Sequence, residues 1–464
     1  MEKNIENVQT AVESKYHKFK QKFRFTSTQI IVLGYLLVIL LGSFLLSLPI
    51  ASKARVWTPY ISSLFTATSA TCVTGLIVVD TYSYWSLFGQ LVILGLIQIG
   101  GIGFMTIITL VAMFMKRQIG LFERTILMRA AGTVRFSGVI LLIKRIIVGT
   151  TIFEGVGTLL LLIRFAPIMG FWKGLYNAIF HAISAFCNAG FDLMGKYGPF
   201  GSLTAFSNDV VVNLTIMALI FVGGLGFIVW SDIWDKRGNL RQTSLHTRVA
   251  VITTVVLVVL PTIITFAIEK NRAFATMNWG EALMASAFQT VSYRTAGFNT
   301  VDLTSMSEGS YLMAVVLMLI GGSPGSTAGG IKTTTIVVML MGVYVTVRNK
   351  EDIEIGKRRL DNKLVRQANA IVAFYFILSL SAVFAISVVE KGLDMHSIVF
   401  EVVSALGTVG MTMGITTKLS VFSKFVLIIL MFMGRLGALT LLTAFMEKRE
   451  NPPLKRPIEK ILIG

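Results

Sequence analysis

Residues 65–75 read FTATSATCVTG, and the same pattern returns as FHAISAFCNAG at 180–190 and FEVVSALGTVG at 400–410. All three obey F-x3-S-A-x4-G. A fourth copy, FQTVSYRTAG at 288–297, keeps Phe288, Ser292 and Gly297 with one residue fewer between serine and glycine. Gly75, Gly190, Gly297 and Gly410 therefore recur at intervals of 115, 107 and 113 residues, and such self-similarity identifies tandem structural units. Each copy is moderately apolar, too short to cross a bilayer, and flanked by longer apolar runs.

Those longer runs cover 28–48, 87–115, 146–163, 210–230, 249–268, 312–347, 368–389 and 422–445, each long enough for about 30 Å of hydrocarbon. They predict eight membrane segments. Of 464 residues 54% are hydrophobic and 14% charged, with mean hydropathy +0.74, where a soluble domain carries about 25% charge. A soluble enzyme is excluded. The net charge of +18 does not point to nucleic acid, because the basic residues sit in the breaks between apolar runs. Twenty-nine Lys and Arg fall before residue 26, in 116–145, 236–248 and 348–366, and after 446, against ten in the other connections. The bias predicts cytoplasmic termini. The basic stretch GKRRLDNKLVRQ reads as part of this topology signal. No signal peptide is expected, because the amino-terminal two dozen residues are polar and basic and lack a small-residue cleavage site.

Each unit thus reads as helix, re-entrant half-helix, glycine loop, helix. Non-helical backbone at membrane depth is tolerated only where protein buries it or it lines a wet cavity. Four such loops call for one shared hole. Carbonyls turned inward by glycine can replace the hydration shell of a monovalent cation, and four half-helices aimed at the axis by their carbonyl ends add negative potential there. The second helices also carry glycine clusters, Gly100, Gly101 and Gly103, then Gly223, Gly224 and Gly226, then Gly321, Gly322 and Gly325, then Gly434 and Gly437, read mainly as close packing.

The combination of SLFTATSATCVTGLIVVDT, FGQLVILGLIQIGGIGFMT, FHAISAFCNAGFDL, FQTVSYRTAGFNT, STAGGIKTTT and SALGTVGMTMG followed by FMGRLGALT resembles the membrane subunit of bacterial Ktr potassium-uptake systems, within the Trk/Ktr/HKT superfamily. The resemblance runs from about Thr26 to the end of the chain. It implies an all-α membrane protein of four M1-P-M2 units with pseudo-fourfold symmetry around one pore: a cytoplasmic segment 1–26, units at 27–120, 121–240, 241–350 with a broken second helix, and 351–446, and a cytoplasmic tail 447–464. It implies a potassium filter at Cys72, Val73, Thr74 and Gly75, at Asn188, Ala189 and Gly190, at Thr295, Ala296 and Gly297, and at Thr408, Val409 and Gly410. The potassium ion is cargo held by backbone carbonyls. Sodium is a possible activator. Nucleotide is expected only on a partner, a cytosolic ring of RCK type binding ATP or ADP, on which the chain sits as a homodimer in the bacterial cell membrane. Sodium-preferring relatives often have serine for the first filter glycine, so Gly75 argues for potassium over sodium uniport. Cys72 and Cys187 depart from the Thr or Asn-like residues expected there; both are read as free thiols facing away from the ion.

The run 312–347 would be about 54 Å as one helix, so it must bend or break. The break is placed at Gly321, Gly322, Ser323, Pro324, Gly325, Ser326, Thr327, Ala328, Gly329 and Gly330, where proline removes a donor and small residues loosen the helix. A matching loop gates the pathway in the family. A nucleotide P-loop does not fit, since Ile331 intervenes before Lys332. Lys332 and Arg435 are cations at membrane depth, assigned to the gate, with Glu154 and Glu401 as candidate counter-charges, and Arg294 is expected to turn toward Glu401. His17, His181, His246 and His396 lack metal-ligand spacing, and no catalytic constellation converges. A larger-solute transporter with two inverted halves fits four parallel units poorly.

Overall fold

The computed structural model describes residues 26–103, 106–107, 139–350, 352–356, 358–437 and 440. The expected amino-terminal segment up to residue 25, the far end of the second apolar run with the basic connection after it as far as residue 138, and the carboxy-terminal tail lie outside these residues. Among the described residues four helices are long and apolar enough to span a membrane unaided: α1 (Ser27–Ser47), α4 (Val139–Met169), α8 (Leu245–Glu269) and α12 (Asn362–Val389). They are hydrophobic nearly all round, and Leu37, Phe44, Leu159, Ile163, Ile263, Phe376 and Phe384 stand exposed on them. Such faces suit lipid.

Each spanning helix is followed by a shorter one that packs back against it: α2 (Tyr60–Thr71), α5 (Phe171–Phe186), α9 (Trp279–Tyr293) and α13 (Met395–Gly407). The last two turns of these are buried except at Ile183 and Ala287, which are half-buried. Then come α3 (Leu87–Ile102), α6 (Val210–Leu225), α10 (Glu308–Leu319) and α14 (Val421–Leu436), begun by Ser86, Asp209, Ser307 and Ser420. The side chains of Ser86, Asp209 and Ser420 accept from amides of the first turn, satisfying donors a helix start leaves free. Two units repeat a further device. Glu269 at the end of α8 accepts from Ser307 N–H (3.0 Å) and from the hydroxyls of Ser307 and Ser310, and Glu390 after α12 accepts from Ser420 N–H (2.8 Å) and Ser423 Oγ (2.6 Å). Arg164 of α4 and Asp209 make the corresponding link at 2.6 Å.

The eight-segment expectation needs one amendment. Among the described residues the second helices are not straight spans. Gly100, Gly223, Gly321 and Gly434 each stand fourteen residues after their helix N-cap, and three residues further come Gly103, Gly226, Pro324 and Gly437. At the three glycines φ is 90°, 98° and 80°, a conformation open to glycine at little cost. At Gly226 α6 turns by 89° into α7 (Phe227–Asp235). In the third unit the helix stops at Leu319 and resumes as α11 (Thr333–Val347). After α11 a small hairpin pairs β1 (Ile353–Ile355) with β2 (Arg358–Leu360).

The core is shared between units. One apolar cluster joins Leu46, Trp85, Phe165, Phe180, Phe186 and Phe298, and a second joins Phe65, Cys72 and Leu76 to Ile398, Val402 and Leu427. The first unit therefore packs against both the second and the fourth.

Candidate functional site

The short helices α2, α5, α9 and α13 deliver their carbonyl ends to four loops with one backbone signature. Two residues before each repeat glycine, φ is positive: Val73 at 52°, Asn188 at 57°, Thr295 at 70° and Thr408 at 54°. Gly75, Gly190, Gly297 and Gly410 then have φ of 93°, 71°, 79° and 91°. Asn tolerates this region, but β-branched Val73, Thr295 and Thr408 do not adopt it readily, at about 1–3 kcal/mol each. One backbone conformation repeated at the same place in four loops, and strained in three of them, points to a use.

The four loops close on one another in order. A methyl group added to Gly75 would meet Ala189 O at 2.5 Å, and one on Gly190 would meet Ala296 O at 2.7 Å. One on Gly297 would collide with Val409 O, and one on Gly410 with Thr74 O. Each glycine thus lies against the carbonyl just before the next unit's glycine, and the fourth returns to the first. Any side chain at these positions would enter that ring of carbonyls.

The repeated serine is what fixes each loop. Thr74, Ala189 and Val409 N–H donate to Ser69, Ser184 and Ser404 O at 2.8 Å, and Ala296 N–H donates to Ser292 O at 3.0 Å. The hydroxyls add a second tie. Ser69 and Ser404 accept from Gly75 and Gly410 N–H (3.0 and 3.1 Å), whereas Ser184 and Ser292 donate to Phe191 and Phe298 O (2.7 and 2.6 Å). Both cysteines are free and buried behind the loops. Cys72 lies in the apolar cluster of Phe65 and Leu76, and Cys187 Sγ faces Gln98 Oε1 at 3.5 Å.

The interrupted segment between α10 and α11 lies against the bases of these loops. Thr327 Oγ1 donates to Phe186 O (3.2 Å), and Gly329 presses on Thr408. The bend after α6 holds its middle, with Ser323 N–H on Gly224 O (3.0 Å) and Phe227 N–H on Gly325 O (2.8 Å). Its ends are clasped by Gly321 N–H on Ile331 O and Ile331 N–H on Leu319 O, at 2.9 and 3.1 Å.

Three cations surround it, and here the sequence expectation is corrected. Arg294 donates to Gly321 O (3.3 Å) and not to Glu401. Lys332 Nζ donates to Ala328 O and Gly329 O (2.7 and 3.4 Å). Arg435 donates to Thr327 O, Gly100 O and, at 3.2 Å, Gly101 O. Among the described residues no carboxylate forms an ion pair with any of the three. The acids expected to serve them are engaged elsewhere. Glu154 accepts from Gln98 Nε2 (3.1 Å), and Glu401 accepts from Thr412 Oγ1 (2.6 Å) and from Thr416 Oγ1. Backbone carbonyls carry no residue signature, so sequence could not find these partners. Gln98 and the threonines were missed as well.

No group of three or more His, Cys, Asp or Glu suited to a metal occurs among the described residues.

Residues 7–455 match the family model described as TrkH, a cation transport protein. The chain is 39% identical over 444 residues to the Ktr system potassium uptake protein B of Bacillus subtilis, covering 95% of this chain and 97% of that one. It is 38% identical to the potassium/sodium uptake protein NtpJ of Enterococcus hirae, with 96% and 99% covered. The crystal structure of the potassium transporter TrkH from Vibrio parahaemolyticus superposes with a TM-score of 0.70 over 90% of this chain and 84% of that one, at 18% identity, which concerns the fold.

Proposed function

The chain belongs to the TrkH family of cation transport proteins, and from that premise we propose that it takes up potassium through one pore framed by its four repeated loops. It is a multi-pass membrane transporter and not an enzyme. The observation that carries the proposal is the closed cycle in which each loop glycine abuts the carbonyl before the next. Alternating handed backbone turns successive peptide oxygens toward one axis, where they stand in for water around a desolvated cation. The four M1-P-M2 quarters then correspond to α1 to α3, α4 to α7, α8 to α11, and α12 to α14. In this reading Cys72, Val73, Thr74 and Gly75, Asn188, Ala189 and Gly190, Thr295, Ala296 and Gly297, and Thr408, Val409 and Gly410 form the filter.

The segment 321–330 is the gate, held shut by Arg435, Lys332 and Arg294 through its own carbonyls. Opening requires those bonds to be exchanged. Regulation by a cytosolic nucleotide-binding ring, a homodimeric assembly, sodium dependence and cytoplasmic termini in the bacterial cell membrane complete the proposal. They rest on the resemblance and, for the termini, on the basic connections. The second reading, a pore that also passes sodium, is favoured by the name of the Enterococcus hirae relative, a potassium/sodium uptake protein. Potassium uptake by cells lacking their own uptake systems tests both. The wild-type chain should restore growth at low potassium, and Gly297→Ser, which drives a side chain into Val409 O, should abolish selectivity. Growth unchanged by the wild-type chain, or selectivity intact in Gly297→Ser, would refute the filter assignment.

A further inference from the structure

The residue after the motif phenylalanine is polar in all four short helices: Thr66, His181, Gln289 and Glu401. All are buried, at 1%, 0%, 0% and 1% exposure, at membrane depth where an unpaired polar group is costly. They do different things. His181 Nδ1 lies 2.8 Å from Asn177 O, which can only accept, and Nε2 lies 3.3 Å from Leu193 N–H, which can only donate, so the ring is a neutral Nδ1–H tautomer tied to the backbone three residues past Gly190. Glu401 accepts two hydroxyls, from Thr412 and Thr416, two and six residues past Gly410, and Thr412 Oγ1 in turn accepts from Gly414 N–H at 3.0 Å. Thr66 instead donates back to Ser62 O in its own helix (2.9 Å). Neither amide atom of Gln289 has a partner, and in the segment past Gly297 Asn299 Oδ1 and Thr300 Oγ1 also have none.

We infer that this position braces the loop from behind in the second and fourth units, and that Glu401 is a positioning residue which fixes the segment leaving Gly410 and thereby the spacing of the carbonyls that meet the ion. The inference rests on the filter reading above. The braces are graded: two bonds to a carboxyl group in the fourth unit, one to an imidazole in the second, none reaching past the glycine in the first and third. A cage of oxygens distinguishes a larger from a smaller cation only while it resists shrinking, so the brace acts on ion preference, and the fourth loop is its stiff quarter.

The test is uptake by the full-length protein in proteoliposomes, measuring potassium KM, maximal rate and inhibition by sodium. Thr412→Val keeps the volume of the side chain and removes one hydroxyl. It should raise the potassium KM about threefold to tenfold and strengthen sodium inhibition by a similar factor, with little change in maximal rate. Glu401→Ala should do the same more strongly, Glu401→Gln, which keeps one acceptor, should lie between, and Thr412→Val should add nothing to Glu401→Ala. A role confined to folding would lower the amount of active protein and hence the maximal rate, leaving KM and sodium inhibition unmoved, and that result would overturn the inference. Gly410→Ser separates the two levels. If it too leaves ion preference intact, the filter reading itself falls, and if it alone changes preference, only the brace falls.

Discussion

The third and fourth units carry the same parts and use them oppositely. Counting from the helix N-caps, Gly321, Gly322, Ser323 and Pro324 occupy the places of Gly434, Arg435, Leu436 and Gly437. In the fourth unit the helix runs on through these places to Leu436, and Gly434 lets it press against Leu406 O at the end of its own short helix. Gly100 on Thr71 O and Gly223 on Phe186 O make the same contact. The third unit has lost it, because Gly321 faces Gly329 and Gly330 of its own interrupted segment. Arg294, three residues before Gly297 where the other loops have Cys72, Cys187 and Gly407, spans the gap to Gly321 O. A methyl on Gly322 would meet Ala328 Cβ at 2.6 Å and Gly224 O at 2.8 Å, so no cation fits where the fourth unit has Arg435. The lesson is that the repeat places a guanidinium where there is room and that both guanidiniums converge on one segment.

Removing Arg435 should break this comparison most. It donates to three carbonyls, in the segment 321–330 and in α3, and hydrogen bonds to charged groups are worth about 1.5–3 kcal/mol each. Arg435→Gln shortens the reach and removes the charge. Partner-independent potassium flux into proteoliposomes should rise about 10- to 100-fold, with the potassium to sodium preference unchanged. A flux unaltered or reduced would show that Arg435 does not hold the segment closed. Lys332→Gln sharpens the same point with two carbonyls at stake, Ala328 and Gly329, and should raise that flux about tenfold.

Much of this was legible in the residues, and the reasons differ by feature. Gly75, Gly190, Gly297 and Gly410 announce themselves because a positive φ beside a neighbour's carbonyl admits little else, so the spacing survives in the sequence. The break in the sixth apolar run follows from its length and from Pro324. The bend of α6 was not read, since Gly226 looks like any packing glycine until its N-cap offset is compared with those of Gly103 and Gly437. The hairpin of β1 and β2 hid in a charged connection taken as a topology signal. The pairing of cations with acids was misjudged for a physical reason: in a low-dielectric interior several oriented peptide dipoles can satisfy a cation as a carboxylate does, and every residue supplies one.

Arg294 gives the smallest effect and the sharpest test of that last point. Arg294 is 7% exposed, and among the described residues its guanidinium makes a single hydrogen bond, to Gly321 O at 3.3 Å, while Nε has no partner. Arg294→Gln therefore removes a weakly satisfied buried charge along with one long bond, and the two effects oppose each other. Relief of desolvation should leave the melting temperature in detergent equal or slightly raised, whereas loss of the tether should raise partner-independent flux by only a few-fold. If Arg294 were instead balanced by a carboxylate, the same substitution would strand a buried anion and lower stability by about 3 kcal/mol or more. A clear fall in melting temperature would thus contradict the carbonyl tether. An unchanged melting temperature with a modest gain in flux would confirm that the third unit replaces the helix contact made by Gly100, Gly223 and Gly434 with a side chain able to let go.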